Sequence, residues 1–411
     1  MKSTQGAVDY KVLYAKAVFG DEEKQAVMKS LENGWLAAGP LVAEFENKIA
    51  KLFGHKYGVA TNSGSSANLL ALASLNLPKG SEVITPACTF STCVSTIIQN
   101  NLVPVFIDSV MGRYTLNENL IEQAITPKTR AIFAPHLIGG VVDLRKLREI
   151  ADIYHLIILD DSCDTLGITI DGKPTGFYSD LSTTSFYGSH IITAMGYGGM
   201  VCTSNENIYK RLVTLKDWGR VGGDKDDFEE RFNYKIDDIP YDVKFLYSEF
   251  GYNLKMNEGA AAFGLEQLKR LDKFKEIKNN AFKRLFDYFK TMDRYFYLPK
   301  VISGGETSWL AFPLTIKKEG NSTQLSRITL LRYLERYKIQ TRVLFSGNIT
   351  RHPAYRQSPE TFRISSKLDT ADQIMADSCL VGCHQGMTNE DVDYIISVVD
   401  RYLNNYVIGH S

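Results

Sequence analysis

Residues 130–163 give the clearest indication of the fold. This stretch contains three segments in succession: RAIFAPH (130–136), LRKLREIADIY (144–154) and LIILDDSC (156–163). The first and third segments are short apolar runs that end in polar or small residues, which is typical of buried strands. The middle segment has the apolar spacing of a helix. A strand, a helix and a strand in this order predict two parallel strands that are joined by a covering helix.

The same alternation extends toward the N-terminus. Further strand-like runs are SEVITPAC (81–88) and VPVFID (103–108), and NENLIEQAI (117–125) resembles a helix. Helical spacing closed by glycine is found in DEEKQAVMKSLENG (21–34) and LVAEFENKIAKLFG (41–54). We therefore expect an α/β fold in which helices cover a mostly parallel sheet.

The pattern changes after roughly residue 270, where the chain no longer alternates short strands with helices. The later part predicts three helices and one strand, at residues 268–290, 325–337 and 389–403 and at residues 309–316. We predict a large domain of residues 1–270, which includes the N-terminal segment, and a smaller C-terminal α+β domain of residues 271–411.

Composition narrows the class of protein. With 411 residues, of which 44% are hydrophobic and 23% charged, the chain is expected to be globular, with about two domains. The 47 basic and 47 acidic side chains balance, so no nucleic-acid partner is expected. Residues 1–20 contain no apolar core of a signal peptide, and no uncharged stretch elsewhere is long enough to span a membrane. The expected location is the cytoplasm.

The six cysteines do not form a recognisable framework, because no CxxC pair occurs. This spacing argues against structural disulfides and against a zinc site, so we expect reduced, partly buried thiols and no bound metal.

Candidate site residues lie where predicted strands end and helices begin, which is where open α/β sheets bind ligands. In TNSGSSANLLALASL (61–75), Gly64, Ser65 and Ser66 open an apolar helix and could bind a phosphate, although a serine-rich helix cap needs no ligand. In LIILDDSCDTLG (156–167), Asp160 or Asp161 could face a protonated ring nitrogen, or cap a helix.

Two further segments supply candidates. Phe90 follows a predicted strand and could lie over a flat ring or belong to the core. The segment TTSFYGSHIITAMGYGGM (183–200) offers Ser185 for the phosphate and His190 above the ring. A lone histidine is usually structural, so only the combination of these segments favours a cofactor site.

The motifs resemble those of the DegT/DnrJ/EryC1/StrS aminotransferase family in their order, their spacing and their residue identities. This family is the sugar-nucleotide branch of the fold-type I pyridoxal-phosphate enzymes. The resemblance runs nearly end to end. Its main segments are GWLAAGPLVAEFENKIAKLFGHKYGVATNSGSSANLLAL (34–72), DDSCDTLG (160–167), SFYGSHIITAMGYGGMV (185–201), DWGR (217–220) and GYNLKMNEGAAAFGLEQLKRL (251–271). It implies a large domain with a sheet of the seven-stranded type and a small C-terminal domain.

The resemblance also assigns the phosphate site and the assembly. It implies that Gly64, Ser65, Ser66 and Ser185 bind the cofactor phosphate. Asn253, in GYNLKM (251–256), resembles the residue that family members send into the phosphate site of the neighbouring subunit. A homodimer with shared active sites is therefore implied.

Around the cofactor ring, the resemblance implies that Phe90 stacks on the pyridine, Asp161 pairs with its nitrogen and Asp164 lies beside it. The chain departs from the family at His190, where the aminotransferases carry a lysine that bonds covalently to pyridoxal phosphate. An imidazole cannot form that bond, and no lysine occurs between Pro174 and Tyr209. The cofactor is thus expected to bind without a covalent link, which suits pyridoxamine phosphate.

A histidine at this position resembles the 3-dehydratase branch of the family, whose members act on CDP-4-keto-6-deoxyglucose or GDP-4-keto-6-deoxymannose. The amine of pyridoxamine phosphate condenses with the 4-keto sugar there, and a base removes a proton while the C3 hydroxyl leaves. A histidine with a pKa near ~6.5 suits this work near neutral pH. Glutamate is a possible amino donor in this branch.

One feature of the CDP-sugar type is missing. That type holds a [2Fe–2S] cluster on cysteines after the DWGR motif, whereas the matching segment VGGDKDDFEERFNYK (221–235) has none. We therefore expect a cluster-free 3-dehydratase of a nucleotide-linked 4-keto-6-deoxyhexose in deoxysugar biosynthesis. The alternatives are a related deoxygenation or transamination on another keto sugar, or a non-catalytic sensor that binds the cofactor.

Overall fold

The computed structural model describes residues 9–222, 226–318 and 325–405. Part of the N-terminal segment in which no signal peptide is expected therefore lies outside the described residues. The described part contains fourteen α-helices. In chain order, α1 to α14 are Asp21–Glu32, Pro40–Phe53, Gly64–Ser74, Ser91–Gln99, Ile121–Ala124, Leu144–Tyr154, Glu206–Lys216, Phe228–Arg231, Glu258–Lys269, Leu271–Lys290, Arg327–Arg336, Pro353–Arg356, Asp369–Asp377 and Asn389–Leu403.

The described part also contains seventeen strands. In chain order, β1 to β17 are Tyr57–Thr61, Glu82–Pro86, Val103–Ile107, Thr129–Pro135, Ile157–Asp161, Thr169–Ile170, Lys173–Pro174, Leu181–Ser185, Gly199–Thr203, Tyr234–Ile236, Ile239–Tyr241, Phe296–Tyr297, Gly305–Glu306, Ala311–Ile316, Arg342–Val343, Arg363–Ile364 and Ser378–Gly382. Short 3-10 helices are Glu118–Leu120, Leu137–Gly139, Thr175–Phe177, Val243–Phe245, Ile349–Arg351 and Pro359–Thr361.

The main sheet has eight strands in the order β1-β9-β8-β5-β4-β2-β3-β16. Strand β9 runs antiparallel to both of its neighbours, and the pairs from β8 to β16 are all parallel. The βαβ unit predicted from residues 130–163 is present as β4, α6 and β5, with Ala131 opposite Ile157. The prediction of a mostly parallel sheet covered by helices is confirmed.

The two faces of the sheet pack into separate apolar clusters, because neighbouring side chains on a strand point to opposite faces. On β4, Ala131 and Phe133 pack in a cluster with α3, α4 and α7, which covers one face. Ile132 and Ala134 pack in a second cluster with α6 on the other face. Burial on both faces explains why these strands read as continuous apolar runs in the sequence.

The C-terminal part builds a second, antiparallel sheet in the order β12-β14-β17-β15. Helices α10, α11 and α14 cover it, and their apolar side chains form one cluster with the strands. The domain boundary after residue 270 stays a prediction, and contacts cross it in both directions. Val12 forms a β-bridge with Ile339 and packs in the C-terminal cluster, while β16 adds to the edge of the main sheet.

The helix predicted over residues 268–290 is two helices, because α9 ends at Lys269 and α10 begins at Leu271. Arg270 lies between them with φ −98° and ψ 0°, which departs from helical geometry. Of the helices in the described part of the chain, none combines the length and the apolar character that crossing a bilayer requires.

Candidate active site

A cavity of about 470 Å³ lies at the carboxyl ends of the parallel strands of the main sheet. The segments that follow β1, β2, β4, β5 and β8 all contribute to its wall, as expected for a ligand site in an open α/β sheet. The N-terminal segment and the C-terminal part close it through Tyr14, Leu310 and Phe345.

Two helix N-termini meet at one end of the cavity. Ser63 caps α3 by accepting a hydrogen bond from the backbone N–H of Ser66 at 3.1 Å, and Phe90 is the residue before α4. The two helices are joined here, because the Ser65 hydroxyl donates to Thr92 Oγ1 at 3.0 Å. Free backbone N–H groups and two helix dipoles that point at one place favour an anion such as a phosphate.

Gly64 allows this end of the cavity to be compact. A Cβ atom at position 64 would lie 2.5 Å from Ser185 Cβ and 2.9 Å from Cys163 Sγ. The glycine therefore lets the first turn of α3 approach the end of β8, which brings Ser185 to the same end of the cavity. Gly199 has the same function on the next strand, because a Cβ there would lie 2.3 Å from the Ser63 carbonyl oxygen.

The structure distinguishes the two aspartates that end β5. Asp161 lines the cavity and accepts hydrogen bonds from Asn68 Nδ2 at 2.9 Å, from Cys93 Sγ at 3.0 Å and from the Cys163 backbone N–H at 2.9 Å. These donors fix the carboxylate at the cavity wall, where it can pair with a cationic group of a ligand.

Asp160 points to the other side of the strand and is fully buried. Its carboxylate accepts hydrogen bonds from the hydroxyls of Ser162 and Ser179 at 2.8 and 2.7 Å, and from that of Ser182 at 2.5 Å. The imidazole of His136 lies 3.7 Å away. This network holds the sheet beneath the cavity, so of the two aspartates only Asp161 lines the cavity.

Asp164 lines the cavity next to a strained backbone. Its Oδ2 accepts a hydrogen bond at 2.8 Å from the N–H of Ile138, whose φ of 51° lies in the left-handed region. Because a β-branched residue rarely adopts this conformation, the hydrogen bond helps to hold it. Burial raises the pKa of Asp164 to about 7, so a large fraction of this carboxyl group is protonated at neutral pH.

Phe90 belongs to the cavity wall and not to the core, because its side chain is 49% exposed. Its ring makes an edge contact with Phe345, at a centroid distance of 5.7 Å and an interplanar angle of 80°. An exposed aromatic ring beside a concave polar site can stack on a flat ligand.

His190 lies in the loop between β8 and β9. Its Nδ1 is 3.3 Å from the carbonyl oxygen of Ser185, and its own carbonyl accepts a hydrogen bond from Gln385 Nε2 at 3.0 Å. A carbonyl only accepts, so Nδ1 carries the hydrogen and Nε2 carries the lone pair. Burial, reinforced by the ammonium of Lys278, lowers the pKa of His190 to about 4. This pKa lies below the value of 6.5 expected from the sequence, because the ring is buried, and the imidazole is neutral at pH 7 and can accept a proton.

Most of the residues predicted from the sequence meet in this cavity. They are Gly64, Ser65, Phe90, Asp161, Asp164, Ser185 and His190. Two predicted residues do not line it. Ser66 hydrogen-bonds to Ser63 in the helix cap, and Asn253 forms a β-bridge with Asp217. The role of Ser66 in phosphate binding stays a prediction, and in this structure its backbone N–H donates to Ser63 Oγ in the helix cap. The role of Asn253 in a neighbouring subunit stays a prediction.

Sequence reasoning missed other residues of the wall. Asn68 lies one turn after Gly64 on α3 and supports Asp161, and a polar residue in an otherwise apolar helix was the available signal. Tyr14 and Phe345 come from segments far away in the chain, and no local pattern marks them.

The family model of the DegT/DnrJ/EryC1/StrS aminotransferase family matches residues 18–400. The chain belongs to this family. It is 37% identical to the lipopolysaccharide biosynthesis protein RfbH of Salmonella typhimurium, over 94% of this chain and 90% of that protein. It is 35% identical to the dTDP-4-dehydro-2,6-dideoxy-D-glucose 3-dehydratase of Saccharopolyspora spinosa, over 94% of this chain and 85% of that enzyme.

Among solved structures, the chain is similar to the Escherichia coli GDP-4-keto-6-deoxy-D-mannose 3-dehydratase with bound hydrated PLP. The TM-score is 0.85 at 28% identity, and the match covers 95% of this chain and 99% of that enzyme. The fold is therefore that of the PLP-dependent aminotransferases, and the family contains both aminotransferases and 3-dehydratases.

The cofactor is pyridoxal phosphate or its amine form, pyridoxamine phosphate, and the cavity fits it. The N-termini of α3 and α4 suit the phosphate, and Gly64 in the first turn of α3 lets this helix approach Ser185 at the end of β8. The carboxylate of Asp161, which Asn68 holds at the wall, can pair with a protonated ring nitrogen, and the exposed ring of Phe90 can stack on a pyridine.

Proposed function

We propose that the protein is a pyridoxamine-phosphate-dependent 3-dehydratase, which removes the C3 hydroxyl of a nucleotide-linked 4-keto-6-deoxyhexose in deoxysugar biosynthesis. The observation that carries this proposal is a neutral histidine, His190, in a cavity that fits the cofactor. A histidine cannot bond covalently to pyridoxal phosphate, so the site suits a cofactor that brings its own amine. Similarity to 3-dehydratases acting on dTDP- and GDP-linked sugars supports the assignment.

When bound, pyridoxamine phosphate would supply the amine that reacts with the 4-keto group and the two electrons that are needed when the C3 hydroxyl leaves as water and hydrogen takes its place. Asp161 stabilises the protonated ring nitrogen, which strengthens the ring as an acceptor of electrons. His190 accepts a proton at Nε2, since Nδ1 is committed to the carbonyl of Ser185. The same imidazole can then donate that proton to the leaving hydroxyl.

Transamination on another keto sugar is the second candidate. It needs a base that returns a proton to the sugar carbon C4, which in the aminotransferases is the amine of the lysine. A fixed imidazole lacks the flexible stem of a lysine.

A non-catalytic sensor is the third candidate, and the intact set of Asp161, Phe90 and Ser185 argues against it. Protein that binds nucleotide sugars without releasing a deoxygenated product would favour this sensor.

We also propose that the protein works without an iron–sulfur cluster. Cys93, Cys202 and Cys379 lie in three different apolar clusters, so these three thiols do not share one site. Within the described residues, no group of three or more His, Cys, Asp or Glu side chains could hold a metal ion. Residues 223–225, in the segment where the CDP-sugar type carries cysteines, lie outside the described part but contain none. Purified protein is expected to lack iron and acid-labile sulfide, whereas stoichiometric amounts of both would contradict this.

Glutamate is the proposed amino donor, and a homodimer the proposed assembly. Residues 218–250 expose many apolar side chains, and a surface of this kind is typical of an interface. They include Trp218, Val221, Phe228, Tyr234, Ile239, Phe245, Tyr247 and Phe250. A second copy that covers this surface would bring Asn253 toward the neighbouring site. The cytoplasmic location is part of the same proposal.

A substrate panel tests the function. CDP-, GDP-, dTDP- and UDP-linked 4-keto-6-deoxyhexoses are incubated with the protein, pyridoxamine phosphate and glutamate, and the sugars are analysed by mass spectrometry. The proposal predicts that at least one of these sugars loses the oxygen of its C3 hydroxyl and that 2-oxoglutarate accumulates. A 4-amino sugar that keeps its C3 hydroxyl would support transamination instead. The same panel identifies the nucleotide.

A further inference from the structure

A buried lysine from the C-terminal part lies behind the candidate active site. Lys278, on α10, is 1% exposed and does not line the cavity. Its Nζ donates a hydrogen bond to the carbonyl oxygen of Cys383 at 3.1 Å. The contact is reciprocal, because the Cys383 thiol donates to the carbonyl oxygen of Lys278 at 3.4 Å. Burial of an ammonium group is costly, so its retention in an apolar cluster calls for a function.

The segment after β17, residues 383–386, connects this lysine to His190. We call these residues the 383–386 turn. Gln385 is 3% exposed, and its Nε2 donates to the carbonyl oxygen of His190 at 3.0 Å. His384 is similarly buried, and its Nδ1 accepts a hydrogen bond from the backbone N–H of Gly386 at 3.2 Å, which keeps the turn compact. The chain of contacts thus runs from Lys278 through the turn to the peptide group of His190.

We propose that Lys278 and Gln385 are positioning residues for His190, with Lys278 holding the 383–386 turn and Gln385 holding the His190 peptide. This inference rests on the proposed function, in which His190 is the base. The side-chain amide of Gln385 suits this position, because its Nε2 can donate a hydrogen bond to the carbonyl oxygen of His190, which can only accept one. Neither residue contacts the reacting atoms, so both act through the orientation and the charge environment of His190.

The charge of Lys278 has a second consequence. The charged or titratable groups that face this lysine are Asp164 and Cys383, and its own charge also acts on His190 and His384. Burial lowers the pKa of Lys278 to about 8, so the ammonium is still mostly charged at pH 7. A nearby positive charge disfavours the imidazolium form, and Lys278 thereby helps to keep His190 neutral.

The other groups that act on His190 raise its pKa. They are the carboxylate of Asp161 and the carbonyl oxygens of Ser185 and Cys163, which all favour the imidazolium. Removal of the Lys278 charge should therefore raise the pKa of His190, and the acid limb of the activity profile should move to higher pH.

The test compares Lys278→Met, Lys278→Arg, Gln385→Leu and Gln267→Leu in the protein loaded with pyridoxamine phosphate. The pKa of His190 is read by NMR of labelled histidine, with His190→Asn identifying the signal. Lys278→Met is expected to raise this pKa by about half a unit or more, while Lys278→Arg retains the parent value because the charge remains. Gln385→Leu is expected to lower kcat about tenfold and to change cofactor affinity by less than about twofold.

Gln267→Leu is the matched control. Gln267 is also fully buried, and it reaches the same loop three residues further on, at the N–H of Thr193, with a distance of 3.4 Å. Its loss is expected to lower thermal stability without a change in the pKa of His190. If Lys278→Met does not fold, Lys278→Gln, which keeps a neutral donor, replaces it.

The role of Lys278 is overturned if Lys278→Met leaves the pKa of His190 at the parent value, and the role of Gln385 is overturned if Gln385→Leu leaves kcat unchanged. Because the NMR measurement needs no substrate, the two proposals can fail separately. If no nucleotide sugar loses its C3 hydroxyl but the pKa of His190 shifts as expected, the proposed function fails and the positioning role stands.

Discussion

At the scale of single residues, position 190 determines whether the cofactor is bound covalently. His190→Lys places a primary amine beside the cofactor, so the protein should retain pyridoxal phosphate through gel filtration, and borohydride should fix it at position 190. Deoxygenation at C3 is expected to fall about 100-fold while a 4-amino sugar accumulates, because a lysine can return the proton to C4. His190→Asn is the control, in which deoxygenation also falls but no cofactor is fixed. If His190→Lys deoxygenates at the parent rate, His190 is not the base.

The neighbouring aspartates of β5 provide a matched pair of variants. Asp161→Asn is expected to weaken pyridoxamine phosphate binding by about ten- to 100-fold, since a neutral amide cannot stabilise a protonated ring nitrogen. Asp160→Asn should leave this affinity nearly unchanged and lower the free energy of unfolding by about 2 kcal/mol, because its carboxylate accepts three buried hydroxyl donors. Fluorescence titration and urea unfolding measure the two effects. Equal affinities in the two variants would contradict the assignment of Asp161.

The sequence left the choice between Asp160 and Asp161 open when read from the residues alone. Both end the same strand, and adjacent side chains face opposite sides of a sheet. Which aspartate faces the cofactor site depends on which side of strand β5 borders the cavity. That in turn depends on helices that lie elsewhere in the chain. The local sequence was enough to predict Ser65 and His190 as site residues. Tyr14, in contrast, reaches the cavity because a β-bridge joins Val12 to Ile339, and no local sequence pattern predicts this bridge.

At the scale of elements, the first turn of α3 must approach β8 closely. Gly64→Ala introduces a Cβ that would lie 2.5 Å from Ser185 Cβ, so we expect a loss of about 1 to 3 kcal/mol in stability and about tenfold weaker cofactor binding. Gly259→Ala, in the first turn of α9, is the control, because its new Cβ would be no closer than 3.5 Å to any neighbour. Calorimetric titration with pyridoxamine phosphate measures both variants. Unchanged binding in Gly64→Ala would show that this turn does not hold the phosphate.

The elements themselves were predicted well where they have strong local patterns. The alternation around β4, α6 and β5 indicated the parallel sheet, because buried strands and amphipathic helices differ in apolar spacing. The antiparallel direction of β9 and the addition of β16 to the sheet edge were not predicted. Strand β16 has only two residues and pairs with β3, more than 250 positions earlier in the chain, so its sequence contains no signal of its partner.

At the scale of the whole molecule, the proposal of shared sites predicts complementation between inactive subunits. His190→Asn and Asn253→Ala are each expected to be inactive or nearly so as homodimers. Hybrid dimers made by coexpression should contain one site with both native residues, so random mixing restores about a quarter of the parent number of sites. Light scattering measures the assembly, and activity of the purified hybrids measures the sites. No recovery in dimeric hybrids would place Asn253 outside the neighbouring site.

The fate of the sugar carbon C3 distinguishes a 3-dehydratase from an aminotransferase, and it can be measured directly. The nucleotide sugar that the panel identifies is incubated in D₂O with the protein, pyridoxamine phosphate and glutamate, and the product is examined by NMR. A 3-dehydratase yields a 4-keto sugar in which deuterium has replaced the C3 hydroxyl, and His190→Asn is expected to yield no such product. A product that keeps its C3 oxygen and carries an amine at C4 would show that the protein is not a 3-dehydratase.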